Sequence, residues 1–216
     1  MKTIHVVNPN STQAVTDGVD AALKSLRFEG GPPIECHTLS DGPPAIESDE
    51  DVVSVAQPLC RYMQALEPDA GAFVIACFSD PGLKLARERL RVPVFGMAEC
   101  GYLSALSRGN KFGVISILQK SVPRHLRNID ALGLSGRLAR DLPVELGVLE
   151  LGHTELVEAR LRAVGRELIE EHGAGVLVLG CAGMASYRAD LERDLGVPVI
   201  EPVQAAVAMA MPAVSN

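Results

Sequence analysis

The 216-residue sequence predicts an α/β fold with two pseudosymmetric Rossmann-like halves, each a mostly parallel sheet flanked by helices. Short β-branched runs alternate with longer stretches of helical periodicity. The runs are continuously apolar, which is typical of parallel strands covered on both faces. The first and second halves of the sequence also resemble each other. We expect the active site in the cleft between the halves, because ligands bind at the carboxyl ends of parallel strands.

Eight strands and eight helices are expected, in alternation along the chain. The strands are predicted at Thr3–Val7, Ile34–Leu39, Gly71–Ala76, Val92–Phe95, Phe112–Ile117, Val144–Leu149, Val176–Gly180 and Val197–Ile200. The helices are predicted at Ser11–Leu26, Glu50–Leu66, Gly82–Leu90, Glu99–Ser107, Val122–Leu132, Thr154–His172, Met184–Asp194 and Val203–Met211.

An internal repeat relates two cysteines. Cys77 follows a predicted strand, and a Val-Pro-Val motif begins fifteen residues later at Val92. Cys181 also follows a predicted strand, and a second Val-Pro-Val motif begins sixteen residues later at Val197. The two cysteines therefore occupy equivalent positions. We expect a first half at 1–108 and a second at 109–202, with a final helix at 203–213 that packs back on the first half.

Composition limits the class of partner. With 20 basic and 27 acidic residues the net charge is −7, which argues against nucleic acid or an anionic membrane surface. The longest apolar stretches fall short of the roughly 18 residues that a membrane span requires. No secretory leader pattern is present at the N-terminus. We expect a cytoplasmic protein that acts on a small molecule.

The cysteines and histidines do not show the spacing of a metal site. Five cysteines are present, an odd number, without a CxxC pair and without histidines at zinc spacing. The sequence therefore predicts neither a disulfide framework nor a metal. Cys36, Cys60 and Cys100 are interpreted as structural residues.

The positions of Cys77 and Cys181 favour acid–base chemistry. A cysteine between a buried strand and a helix meets backbone N–H groups and the positive end of the helix dipole, which lower the pKa of a thiol. Inverting a carbon centre requires a base on one face and an acid on the other. A thiolate opposite a thiol, related by the internal repeat, supplies that pair.

Turn residues next to the strands are candidate substrate-binding groups. The turns that follow the two cysteines offer N–H groups for an enolate, and the turn after the first strand either reaches the same cleft or only caps its helix. The candidates are Asn8, Pro9, Asn10, Phe78, Ser79, Ile117, Ala182 and Gly183. Asp80 is interpreted as a turn residue rather than an acid, whereas Glu99 and Glu201 either face the cleft or cap the next helix.

Three motifs carry a family resemblance. Val6–Thr12, Ala76–Gly82 and Leu179–Met184 resemble motifs of the hydantoin racemases, including allantoin racemase, in the aspartate/glutamate racemase superfamily. The resemblance covers essentially the whole chain. It implies racemisation of 5-substituted hydantoins, or of allantoin, by Cys77 and Cys181 without a cofactor, and it implies a homo-oligomer.

Other members of the superfamily remain alternatives. Glutamate racemases resemble one another in an Asp-Ser-Gly and a Cys-Thr-His motif, where this sequence has Asn8-Pro9-Asn10 and Cys181-Ala182-Gly183. Arylmalonate decarboxylases keep only the second-half cysteine, whereas Cys77 is present here. Maleate cis-trans isomerases keep both cysteines. A small-molecule-binding module without catalysis is a further alternative, and the preferred substituent and enantiomer stay open.

Overall fold

The structure, a computed structural model, describes residues 1–152 and 155–214 and alternates strands with helices. The strands are β1 (Thr3–Asn8), β2 (Ile34–Thr38), β3 (Ala70–Ile75), β4 (Val94–Gly96), β5 (Phe112–Ser116), β6 (Leu138–Pro143), β7 (Val176–Leu179) and β8 (Val199–Ile200). The helices are α1 (Gln13–Ala22), α2 (Asp49–Leu66), α3 (Leu83–Arg89), α4 (Met97–Leu106), α5 (Val122–Ala131), α6 (Glu155–Glu170), α7 (Arg188–Leu195) and α8 (Pro202–Val214).

The strands form two four-stranded sheets in which every pair is parallel. The strand order is β2-β1-β3-β4 in the first sheet and β6-β5-β7-β8 in the second. The second order repeats the first with each strand number raised by four. The predicted fold class of two α/β halves with flanking helices is therefore confirmed.

The central strands are buried on both faces. Every residue of β1, β3, β5 and β7 is buried, and β-branched and aromatic residues dominate these strands. One apolar core lies between the first sheet and α2, where Leu59 and Met63 pack near Phe73. A larger core includes Tyr102 of α4 and Val203 of α8 together with residues of both sheets. The two halves consequently share a continuous apolar interior.

The last helix returns to the first half. The Gln204 side chain of α8 donates a hydrogen bond of 2.8 Å to the carbonyl oxygen of Ala22, at the end of α1. A Cβ added to Gly71 of β3 would meet the Val214 side chain at 1.8 Å, so the helix lies directly against that strand. The division into halves at residue 108 stays a prediction.

Two secondary-structure predictions are wrong. The segment predicted as a strand at Val144–Leu149 forms a loop and a 3-10 turn, and the edge strand is instead Leu138–Pro143. The helix predicted from Met184 begins as a 3-10 helix over Ala182–Tyr187, and α-helical geometry starts only at Arg188. Thr154, at the predicted start of the sixth helix, lies outside the described residues.

Within the two described ranges, no helix has the length and apolar character that crossing a membrane requires.

Candidate active site

Cys77 and Cys181 occupy matching places at the carboxyl ends of β3 and β7. The residue before each cysteine extends the strand by one more bond: Ala76 N–H donates to Val7 at 2.9 Å, and Gly180 N–H donates to Ile115 at 2.8 Å. Both cysteines line one cavity of about 30 Å³, together with residues of both sheets. The repeated segments thus bring the two thiols to a single cavity, in which Cys181 is buried and Cys77 is partly exposed.

Each thiol receives a hydrogen bond from its own turn. The N–H of Ser79 donates to the Cys77 sulfur, and the N–H of Gly183 donates to the Cys181 sulfur. The donor in each case lies two residues after the cysteine, so the repeat extends to hydrogen bonding. These bonds favour the thiolate forms.

Burial outweighs these bonds and disfavours both thiolates. Desolvation raises the pKa of the Cys77 thiol to about 11 and that of the Cys181 thiol to about 12. The expectation that these positions lower the pKa of the thiols is therefore wrong, although the two N–H groups act in the expected direction. The Asp80 charge raises the pKa of Cys77 further, while the Arg124 charge and the Ser79 hydroxyl lower it. The charges of Cys77 and Glu47 both raise the pKa of Cys181. Both thiols are therefore protonated near neutral pH.

Most of the candidate binding residues share the cysteine cavity. Asn10, Phe78, Ser79, Ile117 and Ala182 line it beside the two cysteines. These side chains surround the thiols with mainly apolar surface and a few hydrogen-bonding groups, which is the usual character of a small-molecule site.

Asn8, Pro9 and Gly183 do not line this cavity. The buried Asn8 amide donates to Asn10 Oδ1 at 2.9 Å, and its oxygen accepts from the Asn10 N–H at 3.2 Å. Asn8 therefore holds Asn10 in position. The Pro9 carbonyl packs against Gly42, where an added Cβ would lie 2.3 Å away. Gly183 lines a neighbouring pocket of about 610 Å³.

The structure adds three polar residues that sequence reasoning missed. Ser121, Arg124 and His125, at the beginning of α5, line the cavity. Arg124 Nε donates to Ser79 Oγ at 2.9 Å, so α5 of the second half is bonded directly to the Cys77 turn of the first. No local pattern marks these positions, since arginine in a short helix normally faces solvent.

His125 is held by a buried acid. Its Nδ1 lies 2.8 Å from Asp141 Oδ2, and Ser116 also hydrogen-bonds to Asp141. The pairing fixes the orientation of the imidazole, which lies nearly perpendicular to the Phe78 ring with 5.1 Å between the ring centroids. Asp141 belongs to the edge strand that the sequence did not predict.

Two carboxylates, the half-buried Asp80 and the buried Glu201, cap helices rather than face the cysteine cavity. Asp80 accepts from the N–H groups of Ala98 and Glu99 at 3.0 and 2.9 Å, at the start of α4. Glu201 accepts from Val203 and Gln204 at 3.1 and 2.6 Å, at the start of α8. The two carboxyl groups perform the same capping on equivalent helices, but they come from different positions of the repeat.

Gly96 explains why the two caps come from different positions of the repeat. It precedes α4 as Glu201 precedes α8, and a Cβ at Gly96 would lie 2.4 Å from the Asp80 carboxyl carbon. Asp80 thus fills the space that a side chain at position 96 would need. Burial raises the pKa of both Asp80 and Glu201 to about 7. Glu99 instead forms an ion pair with Arg87 at 2.8 Å.

One group of potential metal ligands exists within residues 1–152 and 155–214. His5, Glu35 and His37 place ligand atoms within 4.8 Å of one another on β1 and β2. A hydrogen bond of 2.9 Å between His5 Nδ1 and His37 Nε2 accounts for the closeness of the two imidazoles. The group does not line the cysteine cavity.

Comparison with known proteins places this geometry in a family. A family model described as Asp/Glu/Hydantoin racemase matches residues 4–210. A hydantoin racemase of Pseudomonas sp. (strain NS671) is 36% identical over 209 residues, which cover 96% of this chain and 84% of the relative. Among solved structures, allantoin racemase from Klebsiella pneumoniae superimposes with a TM-score of 0.93 at 32% identity, covering 100% of this chain and 88% of that one.

A second allantoin racemase, from Pseudomonas fluorescens, superimposes with a TM-score of 0.88 at 27% identity, covering 96% of this chain and 88% of that one. The match extends over nearly the full length in each comparison. By fold and by sequence alike, this chain belongs to the Asp/Glu/hydantoin racemase family.

Proposed function

We propose that this isomerase racemises 5-substituted hydantoins or allantoin, without a cofactor, by proton transfer between Cys77 and Cys181 at the ring carbon. The observation that carries the proposal is the shared cavity: two thiols from equivalent strand ends line one small space. The relatives named for hydantoin and allantoin racemisation supply the substrate class.

The mechanism uses one cysteine on each face of the carbon. Cys77, as thiolate, removes the proton from one enantiomer, and Cys181, as thiol, delivers a proton to the opposite face. The roles reverse for the other enantiomer. In either direction one cysteine gains a proton and the other loses one, so the total number of protons on the pair is unchanged by turnover. Because burial raises the pKa of both thiols well above neutral pH, one of them must ionise before it removes the substrate proton.

The enolate that forms between the two steps needs hydrogen-bond donors. The N–H groups of Ser79 and Gly183 already point to the sulfurs. We therefore assign the enolate to the N–H groups of Phe78 and Ala182, which directly follow the two cysteines. Such fixed donors stabilise charge that develops on the substrate oxygen.

Substrate binding needs more space than this cavity provides. A cavity of about 30 Å³ has room for one or two water molecules and not for a five-membered ring. Val15 and Val148 line both this cavity and the outer pocket of about 610 Å³. The Val148 N–H is tied to the Glu47 carboxylate at 3.0 Å. Movement of the segment around Val148 would join the two spaces into one site.

Single cysteine variants test the two-base scheme. We expect Cys77→Ser and Cys181→Ser each to abolish racemisation, measured as loss of optical rotation from both enantiomers of a hydantoin. In deuterated water each variant should still exchange the substrate proton of one enantiomer, and the two variants should act on opposite enantiomers. Cys36→Ser, outside the cavity, is the control and should retain activity. Undiminished turnover in both active-site variants would rule out the scheme.

A panel of substrates separates the proposal from its alternatives. Enantiopure hydantoins, allantoin and free amino acids distinguish ring racemisation from amino acid racemisation. A maleate-type isomerase would use a cysteine as nucleophile, and a covalent thioether adduct detected by mass spectrometry would then replace simple proton exchange.

A further inference from the structure

The α5 wall of the cysteine cavity is polar in a site that is otherwise largely apolar. Arg124 is 6% exposed and Ser121 is 1% exposed, and both line the cavity. Among the described residues the Ser121 hydroxyl has no hydrogen-bond partner, although it is buried. A buried hydroxyl without a partner is costly, which indicates that a ligand supplies the missing bond.

The buried guanidinium of Arg124 shares an exposed counter-ion with Arg127. Arg124 and Arg127 share one carboxylate, Asp49, at 3.0 and 2.8 Å. Asp49 is 62% exposed, so solvent weakens its attraction for the buried guanidinium. Elsewhere on this wall Lys120 pairs with Glu47 at 3.2 Å, and Asp141 hydrogen-bonds to His125 at 2.8 Å.

Arg124 also has hydrogen-bonding capacity in reserve. Its Nε donates to Ser79 and its Nη1 donates to Asp49, and a guanidinium has more N–H groups than these two bonds use. Ser121 immediately precedes α5, so the partial positive charge of the helix N-terminus adds to the same wall. An anion with two oxygen acceptors fits this arrangement, and a carboxylate is the simplest group of that kind.

We propose that Arg124 and Ser121 form a subsite that selects substrates whose C5 substituent ends in a carboxylate. This rests on the proposed function, because the ring carbon must lie between the cysteines for its substituent to reach α5. Ser79, two residues after Cys77, bonds to Arg124 and so places the guanidinium beside the reacting centre. The positive charge also offsets the repulsion between a substrate carboxylate and the Cys77 thiolate.

The test compares two hydantoins of nearly equal shape. The substrates are 5-(2-carboxyethyl)hydantoin and its neutral amide, 5-(2-carbamoylethyl)hydantoin, and the quantity measured is the ratio of their kcat/KM values. We expect the wild-type ratio to favour the acid by about tenfold or more, the range of a hydrogen bond to a charged group. Arg124→Met should lower that ratio at least tenfold, and Arg124→Lys should retain part of it. Ser121→Ala, a smaller change, should lower it several-fold.

Arg127→Met is the matched control. It removes the same charge from the same Asp49 partner, but Arg127 is 60% exposed and does not line the cavity, so the ratio should stay near the wild-type value. A wild-type enzyme that racemises the amide as well as the acid overturns the subsite and leaves the racemase proposal intact. An equal loss on both substrates in Arg124→Met also overturns it. If neither hydantoin nor allantoin is racemised, the proposed function itself fails.

Discussion

Replacing Glu201 by glutamine should change stability with opposite sign at low and high pH. Glu201 is 2% exposed and caps α8 through two N–H groups. Burial raises the pKa of its carboxyl from 4.5 to about 7. Between these pH values the folded protein keeps a proton that the unfolded chain has lost. The free energy of unfolding therefore falls as the pH rises through this window.

The size of the effect follows from the two pKa values. At pH 8 the folded protein carries an ionised, desolvated carboxylate, which costs about 3 kcal/mol relative to the unfolded chain. Glutamine does not ionise and avoids that cost. Its single carbonyl oxygen replaces two carboxyl oxygens, however, so it weakens the cap by about 1 kcal/mol at every pH. Glu201→Gln should thus be about 1 kcal/mol less stable at pH 4.5 and about 2 kcal/mol more stable at pH 8.

Urea unfolding of both proteins at pH 4.5, 6 and 8 measures this reversal. Asp80 titrates in the same range in both proteins, so its contribution cancels in the difference. A difference that stays constant across the three pH values would refute the role assigned to burial of Glu201. A fixed loss of stability would mean that the residue acts only as a cap.

Further predictions concern the Cys77 turn. Because burial holds the pKa of Cys77 at about 11, kcat/KM should rise about tenfold per pH unit between pH 7 and 9, and a flat profile would exclude a thiolate base. Ser79→Ala removes a hydroxyl that lowers the pKa of Cys77, so polarimetry at pH 7 should show about fivefold slower racemisation than in the wild type. The difference should shrink at high pH. Equal rates in the variant and the wild type at pH 7 would contradict this. Gly96→Ala places a Cβ 2.4 Å from the Asp80 carboxyl carbon, so it should lower the free energy of unfolding by about 2 kcal/mol or more, measured in urea. Gly136→Ala is the control and should lower it little, because nothing lies within 4 Å of the added Cβ. Equal losses in the two variants would argue against the cap.

Local sequence patterns were sufficient for most of the fold. The Val-Pro-Val motifs and the continuous apolar runs identified the repeat, because strands buried on both faces need little polar surface. β6 was missed because it is an edge strand that contains Arg140 and Asp141 and ends at Pro143. The segment from Val144 to Leu149 resembles a strand because every second residue is apolar. It is a loop whose Val144, Leu146 and Val148 side chains are buried.

The site was only partly accessible from sequence. The position of the cysteines followed from the repeat, but the direction of their pKa shifts did not, since desolvation depends on what packs around the thiols in three dimensions. Arg124 and His125 were missed for a related reason. Their burial depends on Ser79 and Asp141, which lie far from them in the chain, and no short-range spacing reveals such partners.

The two halves should differ in how well they tolerate mutation, because their helix caps come from different positions in the chain. In the first half Asp80, in the turn after Cys77, caps α4, so a substitution in that turn also destabilises a helix of the core. In the second half α8 is capped by Glu201, the residue before it, so the turn after Cys181 does not stabilise that helix. New substrate preferences should accordingly arise more readily by mutation around Cys181 than around Cys77.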